Sequence, residues 1–566
     1  MVHSIVLRFD QELALMQEEK QTRATLSAII CMLEHNTTLT LLDLESSQIG
    51  DTGVLALTTA LKNNYTLTIL DLSNNQIHAP GALALSATLK GNYTLRTLLL
   101  YNNYIDSAGA QALSAALKHN TTLTILDLDN NQIHTAGGQA LSEALKHNST
   151  LTVLDLNNSQ IGATGAQAVS EALKYNASLT ALNLFTNQIG AAGAKALSAA
   201  LKVNSTLTKL CLNNNQISAE GVQAVSEVLK DHHTLTILNL DSNQIGDSEA
   251  QVLSTALKDN HSLITLSLFN NQISVAGAKA VSEALKINST LTMLNLRHNQ
   301  IGAEGAEALS TTLKHNNSLV ELNLGDNRMG AAGVLLIIVA LKDNHALTMI
   351  NLYDNQIGAE GAEALSASLK DNHTLRTIDL NFNRIGNVGA IAFITALKNN
   401  HTLTSVNLSS NLIDDVYLQK IDLLIKRNQQ VMREQRQQFI YKMILLAWDA
   451  KDIYSVSLWR KLSKDMRFFI LNWLHFQMET PLGKTTRQIE HCAKFIFENI
   501  NECHRLIKAK QKIKLIEKRD DRGNYHFQFF KPLTLGAVFS KPSPSLEAFR
   551  KNKDIFTFSS YTYPSL

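Results

Sequence analysis

The chain has 566 residues, and its 51 lysines and arginines against 49 aspartates and glutamates leave a formal net charge of +2. This near balance gives no sign of a nucleic-acid-binding protein. The longest apolar stretches, residues 334–341 and 439–448, are shorter than the ~20 residues needed to cross a bilayer, so we expect no membrane partner.

The cysteines and the N-terminus bear on location. Cys31, Cys211, Cys492 and Cys503 show no metal-ligand spacing and indicate free thiols in a reducing compartment. Residues 1–20 lack the basic start and long apolar core of a signal peptide. The expected location is therefore cytoplasmic, or the host cytosol if the chain is a secreted effector.

Residues 1–38 are predicted to form an N-terminal helical cap. Leu26, Ile29, Ile30 and Leu33 recur at helical spacing, and residues 1–9 are expected to add a strand. A cap is needed because the end unit of a stack would otherwise expose its apolar face.

A repeat of 28 residues follows and predicts the architecture of residues 39–427. About fourteen units begin at Leu39, Leu67, Leu95, Leu123, Leu151, Leu179, Leu207, Leu235, Leu263, Leu291, Leu319, Leu347, Leu375 and Leu403, and positions are counted from these leucines. Each unit starts with the extended pattern LxxLxLxxNxI and continues with apolar residues at helical spacing. The predicted fold is α/β: a horseshoe with a parallel sheet inside and helices outside, because strands stack ~4.8 Å apart whereas helices need about 8–10 Å.

Two positions of the unit have a predicted structural role. Position nine is asparagine except at Ser47 and Ser159, and it is expected to form a buried hydrogen-bonded ladder between units. Position fifteen is glycine from Gly53 to Gly389 except at Glu249, and it is expected where the backbone turns tightly into the helix.

These motifs resemble leucine-rich repeats of the ribonuclease-inhibitor type, which are also found in NOD-like receptors and in the Ran GTPase-activating protein. The resemblance covers about two thirds of the chain and implies a binding scaffold. A Ran-type GTPase-activating regulator is the alternative, although that family's acidic C-terminal segment is replaced here by a basic region.

A basic, mainly helical domain is predicted for residues 428–535, and a weakly structured tail for residues 536–566. Residues 415–566 carry 27 Lys and Arg against 15 Asp and Glu, a net +12, whereas residues 1–414 carry 24 against 34, a net −10. Helices are predicted over residues 429–451, 457–478 and 485–516, with a strand over 526–530. The charge asymmetry indicates a second protein partner for this domain.

Residues 462–474 resemble the first helix of an F-box. The matching residues are Leu462, Asp465, Met466, Ile470 and Leu474, while Ser463 replaces the proline of that family. The resemblance implies an adaptor that binds a Skp1-like subunit of a ubiquitin ligase. The alternative interpretation is an ordinary amphipathic helix.

No catalytic, cofactor or metal site is predicted, so we expect no enzyme. Gly483-Lys484-Thr485 matches the end of a phosphate-binding loop, but Met478 stands where that motif needs a glycine. Twelve Asn-x-Ser/Thr sequons lie at the ends of the repeat helices, from Asn36 to Asn400. They are interpreted as helix-terminal asparagines rather than glycosylation sites.

The concave, strand side of the repeat is the predicted binding surface. Position five is mostly Asp or Asn, which gives an acidic stripe suited to a basic partner. The candidate contact residues are Tyr101, Phe185, Phe269, Arg297 and Tyr353 at position seven and Phe382 at position eight, because aromatic and arginine side chains dominate binding hot spots. The 84-residue spacing of the first aromatics is equally explained by duplication of three-unit blocks. Three strand spacings, ~14 Å, also argue against a single pocket.

These features predict a non-enzymatic scaffold that binds one protein on its concave face and a second protein at its basic domain. The unusual regularity of the repeats, joined to a dissimilar C-terminal domain, also suits a bacterial effector acting in a eukaryotic host.

Overall fold

A computed structural model describes residues 4–6, 30, 33, 36–449, 514–519 and 525–530. The chain divides into two compact units, Met1–Gln429 and Gln430–Leu566. The first unit contains all of the 28-residue repeats up to the start of the last helix.

The first unit is built on one parallel sheet of fifteen strands, β1 to β15, which follow one another in sequence order. Neighbouring repeat strands pair in register at a separation of 28 residues, as Leu126 does with Leu154. The strands are Ser4–Val6, Leu41–Asp43, Ile69–Asp71, Thr97–Leu99, Ile125–Asp127, Val153–Asp155, Ala181–Asn183, Lys209–Cys211, Ile237–Asn239, Thr265–Ser267, Met293–Asn295, Glu321–Asn323, Met349–Asn351, Thr377–Asp379 and Ser405–Asn407. The first of them is the additional strand expected within residues 1–9.

A helix follows each of the strands β2 to β15. These helices, α1 to α14, are Gly50–Leu61, Ala79–Leu89, Ser107–Leu117, His134–Leu145, Gly162–Leu173, Gly190–Leu201, Ser218–Leu229, Asp247–Asp259, Val275–Leu285, Gly302–Leu313, Gly330–Asp343, Gly358–Leu369, Gly386–Asn399 and Asp415–Asp449. Strands and helices thus alternate through the repeats, and the predicted α/β solenoid is confirmed.

The core lies between the sheet and the helices. Positions one, four, six and eleven of the unit point into it, and in one unit Leu123, Leu126, Leu128 and Ile133 are all buried. Successive strand residues point to opposite sides of a sheet, so positions three and five face away from this core. The spacing of the leucines therefore decides which side of the sheet is available to a partner.

Two asparagine ladders join the units, of which the sequence predicted one. At position nine, Asn187 accepts hydrogen bonds from Ser159 N (3.2 Å) and Ile161 N (3.1 Å) and donates to Leu156 O (2.7 Å) and Phe185 O (3.0 Å). Ser159 interrupts the ladder as expected, because its hydroxyl donates to Leu128 O and Asn157 O in place of the amide. Such side chains satisfy backbone groups that no strand or helix pairs.

The second ladder lies at position 26, where most of the sequon asparagines stand. Asn176 donates to Leu145 O (2.7 Å) and Asn148 O (2.9 Å) and accepts from Ser178 N (3.1 Å) and Leu179 N (2.8 Å). It is 4% exposed, and its neighbours in the ladder are similarly buried. A glycan cannot be attached to an amide nitrogen in this position without breaking the ladder.

The position-fifteen glycines have a different cause from the one predicted. Gly193 does not adopt a positive φ, and an added Cβ would lie 2.2 Å from Ile189 Cγ2 and 2.9 Å from Ala166 Cβ. Close packing therefore excludes a side chain there. The tight turn lies three residues earlier, where Gly190 has φ +62° and open space around it.

Two predictions for the C-terminal part were wrong in detail. Helix α14 runs without a break through residue 428, where separate helices were expected, because no glycine or proline interrupts Asp415–Asp449. Lys514–Arg519, here β16, pairs antiparallel with Tyr525–Phe530, here β17, so residues 514–516 are not part of the helix predicted over 485–516, and the rest of that range lies outside the described residues. Pairing with an aromatic-rich strand outweighs the local helical pattern. The strand predicted over 526–530 is confirmed.

None of the helices in the described residues is long and apolar enough to span a membrane.

Candidate partner-binding face

The surface formed by positions three, five and seven of the repeat units is called here the sheet face. Strand alternation directs these positions away from the core, so their side chains are not needed to fill it. In the central unit 207–234 they are Lys209, Cys211 and Asn213. Because adjacent strands pair in register, each position forms a row that runs along the whole sheet.

Position five has a structural role that the sequence did not reveal. Asp155 Oδ1 accepts a hydrogen bond from Asn157 N at 2.9 Å, and Asn183 Oδ1 accepts the same bond from Phe185 N at 3.1 Å. Eleven units repeat it. An Asp or Asn oxygen that satisfies the backbone two residues later is a local turn device. Both side chains serve it, so the negative charge of the aspartates is additional to the requirement of the fold.

That charge is concentrated near the N-terminal end of the sheet face. Burial raises the pKa of Asp129 to about 7, with the charge of Asp155 adding to the effect. Burial also raises the pKa of Asp127 well above its usual value, again with a contribution from Asp155, and burial raises the pKa of Asp155 itself. Ionisation of this group is therefore unfavourable in the free protein, and a positive charge on a partner would favour it.

Tyr101 belongs to this acidic end. Its hydroxyl donates a hydrogen bond to Glu45 Oε1, two units away. The unit between them has Ser73 at position seven. One oxygen from each of Asp43, Glu45 and Asp71 lies within 4.8 Å of the others. Asp43 and Asp71 accept from the backbone at 3.0 and 2.9 Å, so hydrogen bonds already engage the group.

Four of the six predicted contact residues come together at the other end of the sheet face. The guanidinium carbon of Arg297 lies 5.6 Å from the ring centre of Phe269 and 4.6 Å from that of Tyr353. The Tyr353 ring meets Phe382 edge to face at 5.6 Å. We name Phe269, Arg297, Tyr353 and Phe382 the arginine–aromatic cluster. The spacing of three strands did not predict this cluster, because the long side chain of Arg297 contacts both Phe269 and Tyr353 from a strand between them.

Gly325 makes this bridge possible, and sequence reasoning missed it. It occupies position seven of the unit between Arg297 and Tyr353, and an added Cβ would lie 3.1 Å from Tyr353 Cβ and 3.4 Å from Arg297 Cγ. Its φ is not positive, so open space rather than backbone freedom is what the glycine supplies. The signal in the sequence was a missing side chain in a row of large ones.

Phe382 completes the cluster at a backbone position where a bulky residue is unusual. Position eight has a positive φ in every repeat unit, and all other residues there are Ser, Asn, Thr, His or Asp. Phe382 has φ 58° and is 50% exposed. A bulky residue in the left-handed region costs roughly 1–2 kcal/mol. Strain of this kind is concentrated at functional positions.

His298 and Asp326, also at position eight, lie beside the cluster. Their side chains are hydrogen-bonded to each other, and the His298 ring is tilted against Phe269 with ring centres 6.1 Å apart. The exposed edge of the cluster is therefore polar, as the rim of a binding site usually is.

The remaining predicted residues are placed differently. Phe185 has no aromatic or cationic neighbour among the described residues and does not join either end. Leu462, Asp465, Met466, Ile470 and Leu474, together with the Gly483-Lys484-Thr485 segment, lie outside the described residues. Those predictions remain untested.

The comparisons with known proteins agree with the repeat. The profile described as "Leucine Rich repeat" matches thirteen segments: residues 35–57, 63–86, 119–142, 147–170, 175–198, 203–226, 231–254, 259–282, 288–310, 315–337, 343–366, 371–393 and 399–420. The unit beginning at Leu95 is outside them, although it contains β4 and α3. No curated protein matches the chain.

Solved structures that match include the actin-binding site 2 of leiomodin-1, at 22% identity, over 30% of this chain and 97% of that chain, with a TM-score of 0.28. Another is the yeast Rad7 and Elc1 complex, at 16% identity, over 64% and 82%, with a TM-score of 0.39. Both scores are too low to support an argument about this chain. The repeat profile, by contrast, matches more than half of it, and the protein therefore belongs to the leucine-rich repeat family.

Proposed function

We propose that this protein is a non-enzymatic scaffold that binds a partner protein on its sheet face. The observation that carries the proposal is the arginine–aromatic cluster. It gathers three aromatic rings and one arginine on a surface that the core does not use. These residue types contribute most of the binding energy in protein interfaces, and they do so when clustered.

The polar rows of the sheet face support a binding role over a catalytic one. The position-five carboxylates accept backbone hydrogen bonds, and Glu45 accepts from Tyr101. These hydrogen bonds give the carboxylates a role in the turns of the repeat and in the packing of the face. The acidic end is suited to the positive charges of a protein surface, because a bound positive charge would favour ionisation of these carboxyls.

Narrower hypotheses rest on the sequence alone. Residues 428–535 are proposed as a second protein-binding region, because residues 415–566 carry a net charge of +12. A cytoplasmic location and a role as an effector in a host cell are proposed from the regular repeats and the N-terminal sequence. No specific feature of the described residues favours a GTPase-activating or an F-box role over the scaffold.

Site-specific photo-crosslinking tests the proposed face. Phe382 in the full chain is replaced by benzoylphenylalanine, and Ile391 on helix α13 receives the same group as a control. The two positions are matched in exposure, at 50% and 48%. We expect a protein to be captured from a eukaryotic cell extract at position 382 and not at position 391.

The captured protein is then purified and its Kd for the chain is measured. We expect Tyr353→Ala and Phe382→Ala each to weaken binding about tenfold or more, as truncation of a hot-spot residue does. Ile391→Ala should leave the Kd unchanged. Equal crosslinking at both positions, or affinities unaffected by the cluster variants, would overturn the proposal.

A further inference from the structure

Arg297 has no hydrogen-bond acceptor in the described part of the protein. The rings of Phe269 and Tyr353 lie 5.6 and 4.6 Å from its guanidinium carbon, and it forms no ion pair with a carboxylate of the described residues. Its Nε is buried and without a partner. A guanidinium has five N–H donors in its plane, so stacking on rings leaves those donors unused.

Arg427 shows how differently this chain treats an arginine that serves only the fold. Its guanidinium donates to Leu397 O at 2.5 Å, Asn400 O at 3.1 Å and Lys398 O at 3.2 Å. A buried donor such as Nε is destabilising without an acceptor, because its hydrogen bond to water is lost and not replaced. The contrast indicates that the acceptor for Arg297 comes from outside the described residues.

Two acidic side chains on this part of the repeat are hydrogen-bonded to other groups. Asp379, whose charge acts on Arg297, accepts from Asn381 N at 3.0 Å and from Asn351 Nδ2 at 3.4 Å. Asp326 is paired with His298. The two rings restrict the motion of the Arg297 side chain, so a ligand that binds its guanidinium would lose less conformational entropy than with a free arginine.

Resting on the proposed function, we propose that Arg297 binds the carboxylate of a single aspartate or glutamate of the partner protein, with an adjacent apolar side chain packed on Phe382. A planar carboxylate matches the paired donors of a guanidinium in a bidentate hydrogen bond. Phe382 is half-exposed next to Tyr353 and offers the apolar contact.

The surrounding charges restrict the partner segment further. Glu321, Asp354 and Asp379 lie on the same part of the repeat, and burial is the main cause that raises the pKa of each of these carboxyls. A run of acidic residues would be repelled by them. One carboxylate between apolar neighbours avoids the repulsion and still satisfies Arg297.

The test begins with a random-peptide library displayed on phage and selected on the full chain. Parallel selections use Arg297→Gln and, as a matched control, Arg328→Gln, which removes the same charge from an exposed arginine. We expect the parent and the control to enrich peptides with one Asp or Glu beside an apolar residue. Arg297→Gln should not. Three outcomes would overturn the proposal. The parent enriches basic peptides, Arg297→Gln enriches the same peptides as the parent, or the parent enriches no peptide.

A double-mutant cycle then locates the contact. The best peptide and its Glu→Gln or Asp→Asn version are titrated against the parent and Arg297→Gln. On the parent, removal of the peptide charge should weaken binding about tenfold or more. On Arg297→Gln the two peptides should bind equally. A difference that persists in Arg297→Gln shows that the carboxylate binds elsewhere and refutes the inference.

Arg297→Lys separates charge from geometry, since lysine keeps the charge but not the planar donors. We expect it to lose most of the discrimination between the two peptides, and full retention would contradict the bidentate contact. Thermal melts of all three arginine variants check that they fold. The proposed function and the inference can fail separately. The proposed function is refuted if Tyr353→Ala and Phe382→Ala leave the affinity for the partner unchanged. If those two variants weaken binding but Arg297→Gln does not, the inference alone is refuted.

Discussion

The Tyr101 hydroxyl donates a hydrogen bond to the Glu45 carboxylate across a whole repeat unit, and Arg297 reaches Tyr353 across another. In both cases the unit between has a small residue at position seven, Ser73 or Gly325. Long side chains on the sheet face thus interact over two strand spacings where a small residue leaves room. The same arrangement, a small residue between two long ones, occurs at the acidic end of the face and in the arginine–aromatic cluster.

Gly325→Ala is expected to loosen the arginine–aromatic cluster. The new Cβ would lie 3.1 Å from both Tyr353 Cβ and Asn351 Oδ1, so one of them must shift. A crowded methyl group costs ~1 kcal/mol or more. We expect a lower urea midpoint and a changed near-UV circular dichroism spectrum. Gly91→Ala is the control, because no atom lies within 4 Å of its added Cβ. Identical behaviour of the two variants would show that the gap at Gly325 has no role.

Asn187→Ala should be among the most destabilising small substitutions in the repeat. It removes four hydrogen bonds and leaves buried backbone groups of two units unpaired. We expect a loss of ~2–4 kcal/mol, measured by urea unfolding. Gln167→Ala, on the exposed side of α5, should stay within about 0.5 kcal/mol of the parent. Similar losses for both would contradict the ladder.

Two glycines three residues apart are expected to respond in opposite ways to asparagine. Gly190 has φ +62° and open space, so Gly190→Asn should be tolerated because asparagine enters the left-handed region readily. Gly193→Asn should cost several kcal/mol, because even a Cβ would overlap Ile189. Melting temperatures of the two variants decide the matter. The reverse order would mean that position fifteen is a turn glycine after all.

Asp127→Asn is expected to stabilise the protein at pH 8. The folded-state pKa of Asp127 is raised by burial and by Asp155. A carboxyl with a raised pKa contributes stability below its unfolded pKa and loses it as pH rises through the folded pKa, so ionised Asp127 destabilises at pH 8. Asparagine keeps the bond from Asp129 N, which is 2.9 Å long with aspartate.

The urea midpoint of this variant should exceed that of the parent at pH 8, and the difference should shrink towards pH 5. Exposed Glu363→Gln on α12 serves as the control and should show no such trend. A lower midpoint for Asp127→Asn at pH 8 would be incompatible with the raised pKa. A stabilising result would also show that the acidic end is kept at the expense of stability, which favours a binding role.

His232 makes the second ladder sensitive to acid. It replaces the usual asparagine: Leu235 N donates to its Nδ1 at 3.1 Å, and its Nε2 lies 3.2 Å from Asn204 O. Burial lowers the pKa of His232 below the ordinary 6.5. The folded state therefore binds fewer protons, so the stability from this residue is complete above about pH 6.5 and declines as pH falls towards the folded pKa.

We expect His232→Asn to match the parent at pH 7.5 and to have the higher urea midpoint at pH 5, because asparagine makes the ladder bonds without a protonation step. The neighbouring exposed His233→Asn is the control. If the gap between parent and His232→Asn does not widen as pH falls, the neutral ring is not required.

The sequence determined the repeat unit of this protein and the side of the sheet that faces away from the core. A period of 28 residues with leucines at positions one, four and six leaves one way to bury them, so the strands and helices followed from spacing alone. Asparagine at position nine likewise implied its ladder, because the residue needs partners for both its donor and its acceptor.

Only the tertiary structure decided what the exposed positions do. The position-five aspartates turned out to cap their own backbone, and Arg297 turned out to contact Phe269 and Tyr353 across Gly325. Sequence spacing gives the distance between strands. It does not show that a long side chain can extend across a neighbouring strand where glycine leaves room. The candidate site depends on that reach and on which donors are left without an acceptor, and both are properties of side chains packed together in space.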